Sequence, residues 1–412
     1  MVLVPATDRR TAGPENGRGG RGGSAVVRSP ASAAGGTVRV GWLPWWSGWV
    51  VAGLPLVVGL VGCGPKRPPP DFAPEPGLLA QIDGMRVTAP DWACPGQSIP
   101  VQYDAILTDG RALPFEIKYD DDEPPALHVV FLRHLSREAT PLENGGWYLS
   151  DEPLVSVLDG FRLYSEMRHK PSVSESTLVA PAYTCLPNAF TFEGPRGARG
   201  QPGLPGPDVV VRLDILQSPF YEELLVAEIK VGAAPPFYLF HDATLMPSSD
   251  FLQIVTRGGP GGRGVDGAPG RAGVDGTDAC PAGAGGAGGA GGDGSQGARG
   301  GPGGPITVIV PQDRPYLAQL VDARNPGGRP GPGGSGGPGG QGGAGGAGKT
   351  SSGATCDDGP AGPNGEPGDD GEHGDPGPPG PRTQVLSVPA EQVFGPRAPL
   401  PIRQLIEYSR GN

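Results

Sequence analysis

Glycine returns at every third position over long stretches of this chain, and no other feature limits its fold so sharply. It stands at 194, 197, 200, 203 and 206, then in steps of three from 258 to 276, 285 to 303, 328 to 346 and 359 to 380. The stretch from 285 keeps the register of the one before it across Ala279 and Ala282. A polyproline II helix turns once in three residues, so this spacing strips one whole face of side chains. A bare face lets another backbone approach closely. Two architectures use that freedom. One is the three-chain collagen helix; the other is a polyglycine II bundle, in which arms of one chain lie side by side. Gly 74 and Pro 52 make up close to a third of the 412 residues, so any apolar core has to come from the segments between the arms.

Those segments favour the single-chain bundle. The middle arms read GGAGGAGGDG over 285–294 and keep Gly-Gly-X character over 331–348, which leaves two bare faces per turn where a triple helix needs one. Strand-like runs interrupt the arms at Val209–Leu213, Leu224–Val231, Phe237–Phe240, Phe251–Val255, Ile306–Val310 and Val385–Val388. An arm that leaves a β domain, turns and returns fits this alternation better than a trimeric rod, so a monomer is expected over a homotrimer. The last arm, GPAGPNGEPGDDGEHGDPGPPGPR, carries Pro and charge between its glycines and resembles bacterial collagen-like sequence.

The other end of the chain speaks to location. Residues 42–61, WLPWWSGWVVAGLPLVVGLV, are uncharged and follow Arg9, Arg10, Arg18, Arg21, Arg28 and Arg39. A basic flank before an apolar run is the layout of an export signal. The run ends at Leu60-Val61-Gly62-Cys63, which resembles the bacterial lipobox. That resemblance implies cleavage before Cys63 and lipidation of its thiol, and Gly64 in the next position implies the outer membrane. An uncleaved span is the alternative for about 20 apolar residues. Residues 1–38 lack apolar periodicity and read as a disordered extension. A Pro-rich stalk follows, GPKRPPPDFAPEPGL over 64–78. Residues 1–62 contribute +4, so the remainder carries −15 against the total of −11. An acidic exported body is a poor nucleic-acid binder.

Residues 79–193 have ordinary composition and read as a β-sandwich, with strands expected at Met85–Ala89, Ile99–Leu107, Leu127–Leu135, Leu154–Leu158 and Thr177–Tyr183. The segment from Cys94, CPGQSIPVQYDAILTDGRAL, resembles the opening strands of bacterial Ig-like domains. Asp120, Asp121, Asp122 and Glu123 form a tight acid run that a calcium ion would relieve, although a solvated turn before Pro124 explains it as well. The expected fold is therefore mainly β: a sandwich, then β segments with glycine arms over 194–382, then a strand and short helix over 383–412. Ile402, Leu405 and Ile406 have helical spacing after Pro401.

With Cys63 set aside, four cysteines remain. An even number in an exported chain suggests disulfides. Cys94 and Cys185 flank the first domain, while Cys280 and Cys356 sit in breaks between arms, so the expected pairs are Cys94–Cys185 and Cys280–Cys356. No CxxC or neighbouring His supports a metal site, and no cofactor is implied.

Several motif matches are products of composition. Gly343 to Thr350 fits the phosphate-loop spacing GxxxxGK[ST], and Gly333 to Gly337 fits GxSxG, but neither has the strand and helix that its chemistry needs. Asp266 and Asp275, nine residues apart, resemble calcium-binding nonapeptides, yet Ala268 and Thr277 stand where a large apolar residue belongs. His128, His134, His169, His241 and His373 show no metal spacing. In layout the chain resembles uncharacterised glycine-rich, collagen-like bacterial lipoproteins: the lipobox, PGQSIPVQ, Tyr183-Thr184-Cys185 and ITVIVPQDRPYLAQLVDARNPGG carry the likeness. That likeness implies no known activity; the layout of anchor, stalk, β body and arms leads to the expectation of a membrane-tethered surface protein with a structural or interaction role, no catalysis, and a surface protein or glycan as partner. Calcium or polysaccharide binding, and a trimeric collagen-like stalk or adhesin, are the alternatives.

Overall fold

The computed structural model describes residues 67–411 except 248 and 352. Cys63, the apolar run and the N-terminal extension lie outside the described residues. Among the described residues no helix is long and apolar enough to cross a membrane.

The chain is mainly β. Its first module holds three small sheets. Ile82–Thr88 pairs with Gln102–Leu107 and, through it, Ala112–Pro114. Leu132–Leu135, Phe161–Met167, Lys170–Pro181 and Trp92–Ala93 make a second. Ser98–Ile99, Trp147–Leu149 and Ala139–Pro141 make the third. Their inner faces meet around Trp147, Tyr103, Phe131 and Phe161, all buried. The Trp147 indole donates to Tyr103 Oη (2.7 Å), which donates to the Gly145 carbonyl (3.0 Å), so the buried polar atoms of this core are paired. Cys94–Cys185 joins the two ends of the module.

Three sequence expectations need correction here. Leu154–Leu158 is no strand: Pro153 opens a one-turn helix over Pro153–Ser156, with the Glu152 carboxylate capping Leu154 N–H. Pro fits a first helical turn, and a five-residue run with four apolar members does not separate strand from buried helix. Ile99–Leu107 is split at Pro100 into two strands of different sheets, and Leu127–Leu135 begins with a 3-10 turn at Val129–Phe131. Ala189–Glu193, at the end of the expected first domain, pairs with Leu252–Arg257 in the second module.

Eight strands build that module: β1 Ala189–Glu193, β2 Val209–Ser218, β3 Tyr221–Val231, β4 Phe237–Asp242, β5 Leu252–Arg257, β6 Ile306–Pro311, β7 Val321–Arg324 and β8 Gln384–Val388. One sheet has the order β1-β5-β7, all parallel. The other has the order β4-β3-β2-β6-β8, in which β2, β6 and β8 are parallel. Phe192, Leu252 and Ile254 of the first sheet pack against Val209, Val211, Ile306 and Val308 of the second. The far face of the larger sheet packs Leu224, Val226 and Phe240 on Val157 and Tyr183 of the first module and on Ile402 and Leu405 of the C-terminal helix, Leu400–Gly411.

Each strand of the small sheet runs straight into a glycine arm, and each parallel strand of the large sheet receives one. Arms 1, 3 and 5 (194–200, 258–278, 325–348) leave β1, β5 and β7. Arms 2, 4 and 6 (201–207, 283–304, 359–381) return to β2, β6 and β8. The two β layers thus extend into two layers of arms. Within a layer neighbours are parallel: Gly194 N–H donates to Arg257 O, and Gly261, Gly264 and Gly267 donate to Arg329, Pro332 and Ser335. Gly285, Gly288 and Gly291 donate likewise to Pro360, Pro363 and Glu366. Between layers neighbours are antiparallel, as in Gly289 N–H to Arg271 O, Gly340 to Gly289 and Gly365 to Gly340, at 2.7–2.8 Å. One bond per three residues is the period of a polyproline II helix. Of the arm glycines only Gly200, at a turn, has positive φ. Arm 3 from Gly258 to Gly276 spans about 60 Å at ~3.1 Å per residue.

Most glycine rows mark a side that a neighbouring backbone crowds, and the Gly286, Gly289 and Gly292 row of arm 4 is the exception. Arms 4 and 5, in the middle, carry two. Arm 6 lies at an edge and carries one, which is why its sequence looks collagen-like. An added Cβ at Gly270 would collide with the Gly289 carbonyl oxygen, whereas at Gly286 it would sit 3.1 Å from Val274 N. Gly270→Ala is expected to destabilise the bundle by about 1–3 kcal/mol. Gly286→Ala should stay within about 1 kcal/mol of wild type, because it also restricts the unfolded chain. Denaturant unfolding followed by circular dichroism distinguishes the two; equal losses would contradict this packing.

Candidate interaction surface

The arms bring side chains out in rows, one per turn, so each face repeats at about 9 Å. Many residues between glycines have N–H groups that no neighbouring backbone carbonyl takes, Leu204, Ser295 and Ala298 being exceptions, and acidic side chains take several of them. Asp266, Asp275 and Asp278 of arm 3 accept from the N–H groups of Ser335, Ala344 and Ala347 on arm 5, and Asp293 of arm 4 accepts from Asp369 N–H, all at 2.8–2.9 Å. Asp358, just before arm 6, and Asn364 and Asp370 within it cap Gly348, Gly342 and Gly336 of arm 5 in the same way. The nine-residue spacing of Asp266 and Asp275 is therefore three turns of one arm, and each carboxylate serves a backbone donor. Asp266 is also paired with Arg199 and Arg263, and its pKa is lowered, first by the bond from Ser335 N–H and then by Arg199.

At the far end, Cys280 is bonded to Cys356. The bond links the tip between arms 3 and 4 with the tip between arms 5 and 6, beside a two-stranded turn of Thr350–Ser351 and Ala354–Thr355. Lys349 N–H donates to Ala279 O there (3.2 Å). No apolar core is within reach at this distance from the sandwich, so a covalent staple limits fraying.

The refused motifs occupy arms. Gly343–Gly348 and Gly333–Gly337 both lie in arm 5, and Ser335 Oγ accepts from Arg263 Nη2 (2.7 Å). Asp120, Asp122 and Glu123 are exposed in a turn with Asp121, and Asp122 N–H donates to Asp120 Oδ1 (3.1 Å). Among the described residues no three His, Cys, Asp or Glu side chains gather as a metal site requires. A shallow groove of ≈ 420 Å³ lies over Tyr103, Pro114, Phe115 and Val129, with Asp104, Glu116 and Lys118 at its rim.

The buried polar groups hold the sandwich together. Asp214 pairs with Arg314 (3.0 Å), whose Nη1 also donates to Ile215 O (2.6 Å), and so ties the crossover from β6 to β7 onto β2. Burial raises the Asp214 pKa to about 6, against the pull of Arg314. Glu228 accepts from Arg212 Nη1 (2.5 Å) and Tyr238 Oη (2.7 Å). At the mouth of the bundle Thr256 is fully buried; its hydroxyl donates to Gly304 O, and Gly304 N–H donates to Thr256 O. Sequence reasoning missed these groups, because lone charged residues inside apolar strands carry no motif.

His134 sits between Tyr103 and Trp147, with Nδ1 2.9 Å from Ser165 Oγ. The serine is buried against the Tyr103 network, so the pair is a packing element. Burial lowers the His134 pKa to about 4.

Comparison with protein families, with curated proteins and with solved structures gives no match for this chain.

Two tests follow from these contacts. His134 is neutral in the fold where the unfolded imidazole already binds a proton, so it lowers stability as pH falls from about 6.5 to about 4. Its ring resonances, followed by NMR, should titrate near pH 4; a midpoint near 6.5 would contradict its burial. In Cys280→Ser/Cys356→Ser, amide exchange should quicken at Gly276, Gly283, Gly346 and Gly359 and stay unchanged in β2 and β3. Uniform acceleration would mean that the disulfide supports the whole module.

Proposed function

We propose that this chain is a lipid-anchored protein of the cell envelope, exported and held at the outer membrane through Cys63, with a structural or interaction role and no catalysis. The observation that supports it most is the rod. About 60 Å of backbone is organised by hydrogen bonds alone, covered in solvated side chains and stapled at its tip, on top of a β body. Such a construction gives reach and regular surface and encloses no reaction chamber. Two disulfides fit an oxidising compartment. The basic flank, apolar run and Leu60–Cys63 supply the export signal and the lipid site. On this reading the first module, on which Phe72 and Leu78 of the Pro-rich segment pack, forms a rigid base with the sandwich, and the arms present their faces to a surface protein or glycan. The exported part acts as a monomer.

Expression of the full chain in a diderm bacterium tests the anchor. Wild type should partition with outer membranes, and its N-terminal peptide should begin at an acylated Cys63. Cys63→Ser should keep residues upstream of 63 and lose the acyl mass. A wild-type chain that retains the upstream residues without acylation would overturn the lipoprotein reading.

A further inference from the structure

We propose that the bundle carries an open docking lane that takes one extended, glycine-every-third strand from a partner polypeptide of different sequence from this chain. The chain fills the first part of that lane itself. Arm 2 lies against arms 3 and 4, with Gly203 and Gly206 N–H donating to Arg299 O and Pro302 O (2.9 Å each). In return Gly259 and Gly262 N–H donate to Leu204 O (2.8 Å) and Gln201 O (3.0 Å). The hairpin of arms 1 and 2 ends at Gly200, while arms 3 and 4 continue to Gly276 and Gly283. After one intervening turn, where Ser295 Oγ takes Val265 N–H (2.7 Å), the same pattern of groups goes on without partners. Among the described residues, the N–H groups of Ala268, Arg271 and Val274 have no acceptor, and the carbonyls of Ala284, Ala287, Ala290 and Asp293 have no donor.

The steric record along arm 4 agrees. At Gly301 and Gly304 an added Cβ would collide with the carbonyls of Leu204 and Pro207, so arm 2 occupies that space. At Gly286, Gly289 and Gly292 it would meet only arm 3, at 3.1–3.2 Å. The neighbouring lane of arm 1 is closed. There Gly259 and Gly262, whose Cβ would strike Pro195 and Ala198, give way to Val265, Ala268, Arg271 and Val274 on the same row. These side chains occupy arm 1's space and wall the open lane. The opposite edge is capped by Asp358, Asn364 and Asp370, as exposed sheet edges commonly are. The open lane has no such caps.

The occupant follows from arm 2. A Cβ at Gly203 would collide with Gly259 O, so a strand seated here needs glycine at every third position. It runs parallel to arm 4, donates its glycine N–H groups to arm 4 and accepts from arm 3. Three turns, about 28 Å, are open to it. The proposal rests on the non-catalytic interaction reading and is independent of the anchor at Cys63; failure of strand binding leaves the lipidation result standing.

The test uses the full-length protein in detergent and a fluorescein-labelled acetyl-(Gly-Leu-Pro)4-amide, patterned on Gly203-Leu204-Pro205. Saturable anisotropy is expected, with binding about tenfold or more weaker for acetyl-(Ala-Leu-Pro)4-amide. Ala268→Pro/Val274→Pro removes two lane donors with a φ that suits an extended arm. Loss of two backbone bonds should weaken binding about tenfold, with an unchanged unfolding midpoint. No saturable binding, or equal binding of the two peptides to wild type, overturns the proposal, and the peptide comparison decides even if the double variant is unstable. Equal binding by a stable double variant also overturns it. A concentration-dependent dimer that the proline pair abolishes would put a second copy in the lane, and so overturn a separate partner.

Discussion

Everything in the outer half of this molecule depends on one contact: a glycine N–H pointing at a carbonyl of the next arm, repeated once per turn. The arms bury almost no apolar side chains, so they lack the usual driving force for folding. Each backbone bond contributes only about 0.5–1.5 kcal/mol net, and glycine loses more conformational freedom on ordering than any other residue. Such a bundle is stable only when many bonds form together between backbones already placed in register.

The sandwich supplies that register. Because β1, β5 and β7 are parallel neighbours, the arms that leave them start side by side and pointing the same way. Because β2, β6 and β8 are parallel in the facing sheet, the returning arms end the same way. Val209, Val211, Ile306 and Val308 against Phe192, Leu252 and Ile254 set the spacing of the layers, and Thr256 with Gly304 bridges them where sheet becomes arm. Cys280–Cys356 closes the other end. Side-chain packing at the base, backbone bonds along the shaft and a covalent link at the tip thus divide the work by distance from the core.

Much of this was legible in the residues and some was not. Six strands of the second module stand out as apolar runs; in β3 the run from Leu224 to Ile229 is buried on both faces, while β8 is an apolar run that stays largely exposed. β7, Val321–Arg324, does not, since two of its four residues are charged. The arms announce themselves, but their neighbours do not: a period of three is equally compatible with any pairing. Only the change from Gly259 and Gly262 to Val265 and Ala268 marks where arm 1 stops, and that mark makes sense once arm 1 is seen. Asp266 and Asp275 invited a calcium reading because carboxylates bound to backbone N–H groups and carboxylates bound to cations share one sequence signature. Leu154–Leu158 was misread because a single turn of helix behind Pro153 has the same apolar content as a strand.

The most direct test of the account is amide exchange resolved to single residues along arm 4. A bundle of the kind described protects two amides in every three, those of Gly285, Gly286, Gly288, Gly289, Gly291 and Gly292, and leaves Ala284, Ala287 and Ala290 fast. A collagen-type association of separate chains would protect one in three, and an unpaired arm none; either pattern would contradict the single-chain ladder on which the structure rests.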